Sequence, residues 1–318
     1  MPTPPPTASA GELEFQAVED YSSLLENRFI DLIEERSGIT FDQIKRKELK
    51  LDLLTRMEAR RIPSFHAYLE ALLENDPVRA EFKKLVNLIT INETYFMRVD
   101  EHFTMLQNEV VPALRSRRPE RPLRILSAGC SSGEEVYSLV IALLEMGDRC
   151  PERFTVIGTD INEDMLYLAE KGIYRGRTLA KVPDCFLAKY FEPYRDRYRV
   201  VPRVRDHAQF RYLNLTEPLP EEWLSDLDIV FFRNVLIYFS RETTRRIIAG
   251  FHHLLREGGA LFLGPSETLW DISDGFELVM NPTAYMYRKK GLAAAPAPLP
   301  RPVPPPPVPP PQPPRLVP

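Results

Sequence analysis

The sequence predicts an α/β protein: an open, mostly parallel sheet with a small antiparallel insertion, preceded by a small all-helical domain. Three observations carry this. Residues from about Glu12 to Ile91 read as helix only, with apolar positions at helical spacing through Phe29, Ile30, Leu32 and Ile33. Beyond Leu123, apolar runs of strand length alternate with helical segments, the pattern of right-handed crossovers in a parallel sheet. The run Leu123–Ser127 enters a small-residue turn, Ala128 to Gly133, just before a helix, which is how such sheets begin a ligand pocket.

In the helical part, the pattern resumes from Phe41 to Ile62, from Ser64 to Leu73, and after Asp76-Pro77. Asp as N-cap and Pro in the first turn mark the last start. Asp100 is expected to cap a further helix reaching about Arg115, followed by the polar, proline-containing hinge Arg117–Pro122. Then come strand Leu123–Ser127, helix Glu134–Met146, strand Phe154–Thr159 and helix Glu163–Lys171. Strand Asp228–Phe232 precedes helix Arg241–Arg256, whose end Gly258-Gly259 marks, and strand Ala260–Gly264 follows. A short strand, Ala284–Arg288, is expected to close the sheet edge. Between Gly172 and Leu213 the alternation fails. A short helix around Pro183–Phe191 and two strand-like runs, Tyr198–Val201 and Ala208–Tyr212, read as a small antiparallel insertion beside the sheet. The expected organisation is a proline-rich disordered terminus over 1–11, a helical domain over 12–95, a linker helix and hinge over 96–122, and the sheet domain over 123–290. The insertion spans 172–213, and a proline-rich disordered tail fills 291–318.

Composition bounds the function. A net charge of −4 argues against a nucleic-acid-binding protein. No apolar run approaches the roughly 18 residues of a membrane span, and the first residues, Met1-Pro-Thr-Pro-Pro-Pro6, do not read as a signal peptide. Cys130, Cys150 and Cys185 form no C-x-x-C pair, which fits a reducing cytoplasm and points away from a metal site.

The candidate site follows from the strand ends, outside which ligands bind in open α/β sheets. Gly129 and Gly133 let backbone approach a ligand, and Asp160, ending the second strand, suits a ribose diol. With no G-x-G-x-x-G and no G-K-[ST], the turn offers no diphosphate cradle. The expected ligand is a nucleoside without a phosphate chain, with S-adenosylmethionine the leading candidate. Asn92–Arg98 lies between the domains, Asn214-Leu215 follows the strand ending at Leu213, and Phe231–Phe239 leaves the strand ending at Phe232. These should converge on one crevice.

At these residues the chain resembles the CheR-type chemoreceptor methyltransferases. The signatures are N-x-T-x-F-x-R at Asn92–Arg98, S-A-x-x-S-x-G-E-E at Ser127–Glu135, T-D-I at Thr159–Ile161 and G-I-Y at Gly172–Tyr174. R-N-V-x-I-Y-F at Arg233–Phe239 and G-x-S-E at Gly264–Glu267 complete them. The resemblance covers roughly Leu13 to Lys289 and implies a Rossmann-like methyltransferase sheet. It implies methyl transfer from S-adenosylmethionine to receptor glutamates, leaving S-adenosylhomocysteine. It also implies that Asn92, Thr94, Arg98, Glu135, Asp160, Asn214, Leu215, Asn234 and Val235 line the cofactor pocket. Glu135 would meet the cofactor's ammonium, although Glu134 beside it leaves that assignment open by one residue. Arg98 would orient a carboxylate, either the substrate's or the cofactor's own, and Tyr238 would donate beside the methyl. No general base is needed, because a glutamate side chain is already ionised at pH 7.

Lys45, Arg46, Lys50, Arg56 and Arg60 fall within a helical arc of about 140°, opposite Ile44, Leu51, Leu54 and Ile62, with Leu49 and Leu53 inside it. Given an acidic helical substrate, this arc is the expected docking surface. The segment Phe191–Tyr198 is short and lacks Gly, resembling family members that do not grip a receptor's C-terminal tether peptide. The proline-rich tail reads either as a tether to some further partner or as an unselected terminus. Two other readings stay open: a non-catalytic S-adenosylmethionine-binding module, and a small-molecule O-methyltransferase.

Overall fold

The computed structural model describes residues 20–74 and 80–291. The two expected disordered ends and the helix start at Asp76-Pro77 lie outside the described residues. Among the described residues, four helices make the first domain: α1 (Ser23–Ser37), α2 (Gln43–Arg60), α3 (Phe65–Leu73) and α4 (Ala80–Ile89). Ser22 and Ser64 cap α1 and α3 with their hydroxyls. Gly38, at φ 74°, ends α1 in the left-handed conformation that favours glycine. Phe29, Ile33, Leu49, Leu53, Phe65 and Leu85 fill the core of this domain.

A long helix leads onward as α5 (Asp100–Met105), a π turn over Leu106–Val110, and α6 (Val111–Arg117). Asp100 is the first helical residue rather than the cap; Val99 precedes it at φ 59°. The sheet domain then runs β1 (Leu123–Ala128), α7 (Glu134–Leu144), β2 (Phe154–Asp160), α8 (Glu163–Lys171), β3 (Ile173–Tyr174) and α9 (Asp184–Tyr190). It continues with β4 (Phe191–Tyr194), β5 (Arg197–Val200), β6 (Ala208–Tyr212), β7 (Leu227–Phe232), α10 (Arg241–Leu254), β8 (Leu255–Leu263), β9 (Phe276–Met280) and β10 (Tyr285–Lys289). The main sheet has the order β6-β2-β1-β7-β8-β10-β9, and a small antiparallel sheet has the order β3-β5-β4. Strands β6, β2, β1, β7 and β8 are parallel. Side-chain alternation sends Ile125, Val156 and Phe231 to one face, under α7, and Leu126, Ile157 and Phe232 to the other, under α10.

Three further sequence expectations are corrected. Ala208–Tyr212 is not part of the antiparallel insertion. It is the edge strand of the main sheet, parallel to β2 with Val156 opposite Ala208, because a right-handed crossover returns there after the insertion. Gly258-Gly259 does not end a helix but lies inside β8, which already begins at Leu255. A register shift against β7 falls at that point, and Gly258, at φ 72°, absorbs it. Finally, Tyr285–Lys289 does not close the sheet. Phe276–Met280 does, and of its apolar residues only Phe276 is buried while Leu278 and Met280 are exposed, so the pattern of a buried strand is missing there.

Candidate active site

The strand ends of β6, β2, β1 and β7 meet beneath the helical domain and enclose a cavity of about 250 Å³. At the end of β1 the chain turns at Gly129 (φ 76°), whose N–H donates to the Thr159 carbonyl at 2.7 Å. A Cβ on Gly129 would sit 2.6 Å from Val235 Cγ2; only glycine lets this turn touch the loop after β7. The Ser131 N–H donates to Asp160 Oδ2 at 2.7 Å, and the Asn162 N–H to Oδ1 at 2.9 Å. Burial pushes the Asp160 carboxyl up, and the amides of Asn162, Ser131 and Ile161 pull it back. Each oxygen keeps acceptor capacity for a ligand hydroxyl.

Toward β7 lies a buried charge network. Arg233, with 2% of its side chain exposed, donates from Nε to Glu135 Oε2 at 2.6 Å. The other oxygen of Glu135 accepts from the Ser127 hydroxyl at 2.7 Å. Arg233 Nη1 donates to the Arg98 carbonyl at 2.7 Å and faces His102 Nδ1 at 3.3 Å. Burial, and then the charge of Arg233, lower the His102 pKa to about 4, so a neutral ring accepts that bond. Arg98 sits between two residues at positive φ, Met97 (57°) and Val99 (59°). The Met97 N–H donates to Ser138 Oγ at 3.0 Å. This unfavourable backbone is thus clamped on both sides. Glu134, by contrast, turns into the protein to accept from the Ser132 hydroxyl at 2.7 Å. Glu135 is the one that lines the cavity.

The loop after β7 is organised by Glu267 of the G-x-S-E run. Its Oε2 accepts from the N–H groups of Asn234 (2.8 Å) and Gly264 (2.7 Å), and its Oε1 from Leu236 N–H (3.0 Å). Those bonds hold Asn234 at φ 60°. Downstream, the Tyr238 carbonyl accepts from the N–H (2.8 Å) and the hydroxyl (3.0 Å) of Thr40. An isolated antiparallel bridge pairs Ile39 with Phe239. The helical domain therefore completes the wall of the site. Tyr238 is half-buried; burial raises its hydroxyl pKa while the nearby Arg98 charge lowers it.

All nine expected cofactor residues line this one cavity, together with Tyr238 and Lys45. Their side chains are not equally available. Asn214 Nδ2 donates to the Arg36 carbonyl at 2.7 Å, and its Oδ1 accepts from Thr216, so the side chain fastens the two domains. Asn92 Nδ2 donates to the Thr90 carbonyl at 3.0 Å. Arg98 Nη1 donates to the Glu93 carbonyl at 3.2 Å, and the guanidinium lies over the Tyr95 ring at 5.6 Å. Among the described residues it has no carboxylate partner. Arg233 and Glu267 stand in motifs the sequence displays, yet their roles become visible only from these bonds.

The basic arc on α2 is corrected. Leu49 and Leu53, placed within it, are fully buried in the helical core, whereas Leu51, placed opposite, is 68% exposed. The middle of the arc therefore faces inward, while Arg46 and Arg60 at its ends keep 40% and 55% of their side chains exposed. Arg56 makes a bidentate pair with Glu81 at 2.9 Å, and Arg60 adds a contact at 3.6 Å. Arg46 meets Asn27 and Glu26, and Lys50 lies over the Tyr21 ring. Lys45 lies over the ring of Tyr238 at 4.4 Å, at the cavity itself. The side chain of Ile44 is outside the described residues.

Residues 92–285 match the CheR methyltransferase SAM-binding domain, and residues 26–90 the CheR methyltransferase all-alpha domain. The chain belongs to the CheR methyltransferase family. Relatives include "Chemotaxis protein methyltransferase 2" of Vibrio cholerae, 34% identical over 83% of this chain and 93% of the relative. "Chemotaxis protein methyltransferase Cher2" of Pseudomonas putida is 31% identical over 89% of this chain and 100% of the relative. "Chemotaxis protein methyltransferase" of Klebsiella aerogenes is 36% identical over 79% and 85%. The CheR cofactor is S-adenosylmethionine, and the cavity fits it. Leu213, Leu215 and Ile161 make an apolar wall at the β6–β2 end, and Asp160 stands beside it. Glu135, Arg98 and Thr94 make a polar wall at the β1–β7 end. Among the described residues, no helix is long and apolar enough to cross a membrane.

Proposed function

We propose that this enzyme methylates glutamate side chains of chemoreceptors, giving glutamyl methyl esters. The observation that carries the reading is that, among the described residues, no unpaired carboxylate and no histidine lines a cavity that offers cations. Glu135 is held by Arg233; Asp160 is buried and takes two backbone N–H groups. Glu93, at the lip, is exposed and pairs with Arg177 at 3.2 Å. An amine or alcohol nucleophile would need deprotonation, whereas a carboxylate does not. Arg98, half-buried and without a carboxylate partner among the described residues, and Lys45 beside Tyr238 suit an incoming anion.

S-adenosylmethionine, when bound, supplies a methyl group on a sulfonium. Asp160 would hold its ribose, with Leu215 and Val235 packing on the adenine. Glu135, fixed in place by Ser127 and Arg233, keeps lone pairs for an ammonium. Arg98 then turns the incoming carboxylate, and the Tyr238 hydroxyl donates to it. Together they replace the water that a carboxylate gives up on entering. The apolar lip, where Ile237 is 61% exposed and Ile91 55%, supports contact with a protein rather than a small metabolite. The proposed partner is the acidic helical cytoplasmic region of a receptor, engaged without a tether peptide: the β4–β5 turn at Arg195-Asp196 is tight and offers no glycine loop. The test is to label receptor-containing membranes with methyl-tritiated cofactor. Base-labile release of radioactive methanol from receptor protein is expected. Label in small molecules only, or no transfer despite cofactor binding, would refute the reading.

A further inference from the structure

A second concavity of about 440 Å³ lies at the other end of the sheet, where β1 begins. The end of α6, the hinge to β1, and parts of β8 and β10 wall it, and its charge is one-sided. Arg115, Arg117, Arg118 and Arg121 reach it from the helix end and hinge, and Arg256, Arg288 and Lys289 from the strands. They face three carboxylates, Asp228, Glu257 and Glu277, in a chain whose net charge is −4.

Four of the cations are already engaged. Arg256 binds Asp228 at 3.0 Å and Asp226 at 3.2 Å, and Arg288 pairs with Glu277. Arg115 donates to the Cys150 carbonyl at 2.9 Å, and Lys289 to the Leu255 carbonyl at 2.6 Å. The other three, Arg117, Arg118 and Arg121, are exposed and, among the described residues, make no ion pair. Arg117 is nevertheless seated. A Cβ on Gly258 would lie 2.4 Å from its Nη1, so this guanidinium occupies the space that any other residue at 258 would fill. Leu114, Pro122, Leu123 and Pro151 supply apolar wall between the charges.

We propose that this cleft binds a small phosphate-bearing ligand of nucleotide size. Gathered guanidinium groups without carboxylate partners match phosphate oxygens through paired N–H donors. The volume is that of a small-molecule site, and the leucine and proline wall accepts a flat apolar ring. The cleft is separated from the methyl-transfer cavity by the length of β1, about 20 Å at some 3.3 Å per residue. Both sites can therefore be filled at once.

The test uses the full chain saturated with S-adenosylhomocysteine, so that the catalytic cavity is blocked, and titrates it calorimetrically with GTP and with inorganic tripolyphosphate. One equivalent should bind. Arg118→Ala and Arg121→Ala should each weaken binding about tenfold or more, while melting temperature and S-adenosylhomocysteine affinity stay unchanged. GTP binding tighter than tripolyphosphate identifies a nucleotide; equal affinities identify a phosphate chain alone. The proposal is overturned if neither binds at millimolar concentration, or if binding survives in the Arg117→Ala/Arg118→Ala/Arg121→Ala variant. It is equally overturned if poly-glutamate binds as well as tripolyphosphate, since the surface would then be a general anion patch.

Discussion

Arg233→Met tests whether the buried network positions Arg98, the arginine proposed to orient the substrate carboxylate. The substitution leaves the Glu135 carboxylate without its cation, in a place where only 14% of that side chain is exposed. It also removes the donor to the Arg98 carbonyl and the group facing His102. Stranding one partner of a buried ion pair costs about 3–5 kcal/mol. At about 2–4 °C per kcal/mol for a domain of this size, the melting temperature should fall by roughly 6–20 °C. Calorimetry on the purified protein reads this directly. Replacing both partners, Glu135→Met with Arg233→Met, should restore part of the loss, because no unpaired charge remains. It should not restore methyl transfer, since the Met97–Val99 backbone is still unclamped and Glu135 is gone. A single variant melting within 2 °C or so of the parent would refute the account, as would a double variant less stable than the sum of the two singles.

Asp160→Ala should weaken S-adenosylhomocysteine binding by about 1–3 kcal/mol, the cost of leaving polar groups unpaired; unchanged calorimetric affinity would remove Asp160 from the site. Gly129→Ala should reduce cofactor affinity and stability together, because φ is 76° and a Cβ meets Val235 at 2.6 Å; wild-type values for both would show that the turn can open freely. Arg98→Ala should cut turnover with a shift in melting temperature of under about 2 °C, because its guanidinium hydrogen-bonds only to a backbone oxygen; near-normal turnover would end its proposed catalytic role. His102 supplies a pH signature. Its folded pKa of about 4 lies below the ordinary 6.5, so between those values the unfolded chain binds the extra proton and stability falls as pH falls. The contribution is about 3 kcal/mol across that window. His102→Gln should therefore lose less stability than the parent between pH 7 and pH 4.5, and parallel curves would show that the ring is not held neutral.

The parts of the molecule legible in the sequence are those that local rules fix. Helix α8 was bounded correctly because Asn162 caps it and Gly172 ends it in the left-handed region. Strands β1, β2 and β7 are mostly apolar inside and end at polar turns, so their positions could be read directly. Strand β6 was misplaced because its alternation, Ala208, Phe210 and Tyr212, says nothing about which sheet it joins. The basic arc on α2 was legible only in part, for a related reason. Angular position on one helix cannot tell an inward charge from an outward one when Glu81, on another helix, awaits Arg56.

The pocket shows the same division between what a chain writes locally and what it assembles. Asp160 and the two glycines announce themselves at the ends of single strands, because backbone geometry there demands those residue types. Arg233 and Glu267 do not, since Glu135 and Asn234, to which they bond, lie 98 and 33 residues away. What such remote bonds secure is unfavourable backbone: Glu267 fixes Asn234 at φ 60°, and Arg233 fixes the turn carrying Arg98 between φ values of 57° and 59°. The helical domain plays the same part on a larger scale. The Thr40 bonds to the Tyr238 carbonyl and the Asn214 bond to the Arg36 carbonyl set two walls of the cavity from outside the sheet. Residues 92–285 alone contain every residue proposed to touch the cofactor. They lack the clamp on Tyr238, so the loop after β7 depends on the domain in front of it.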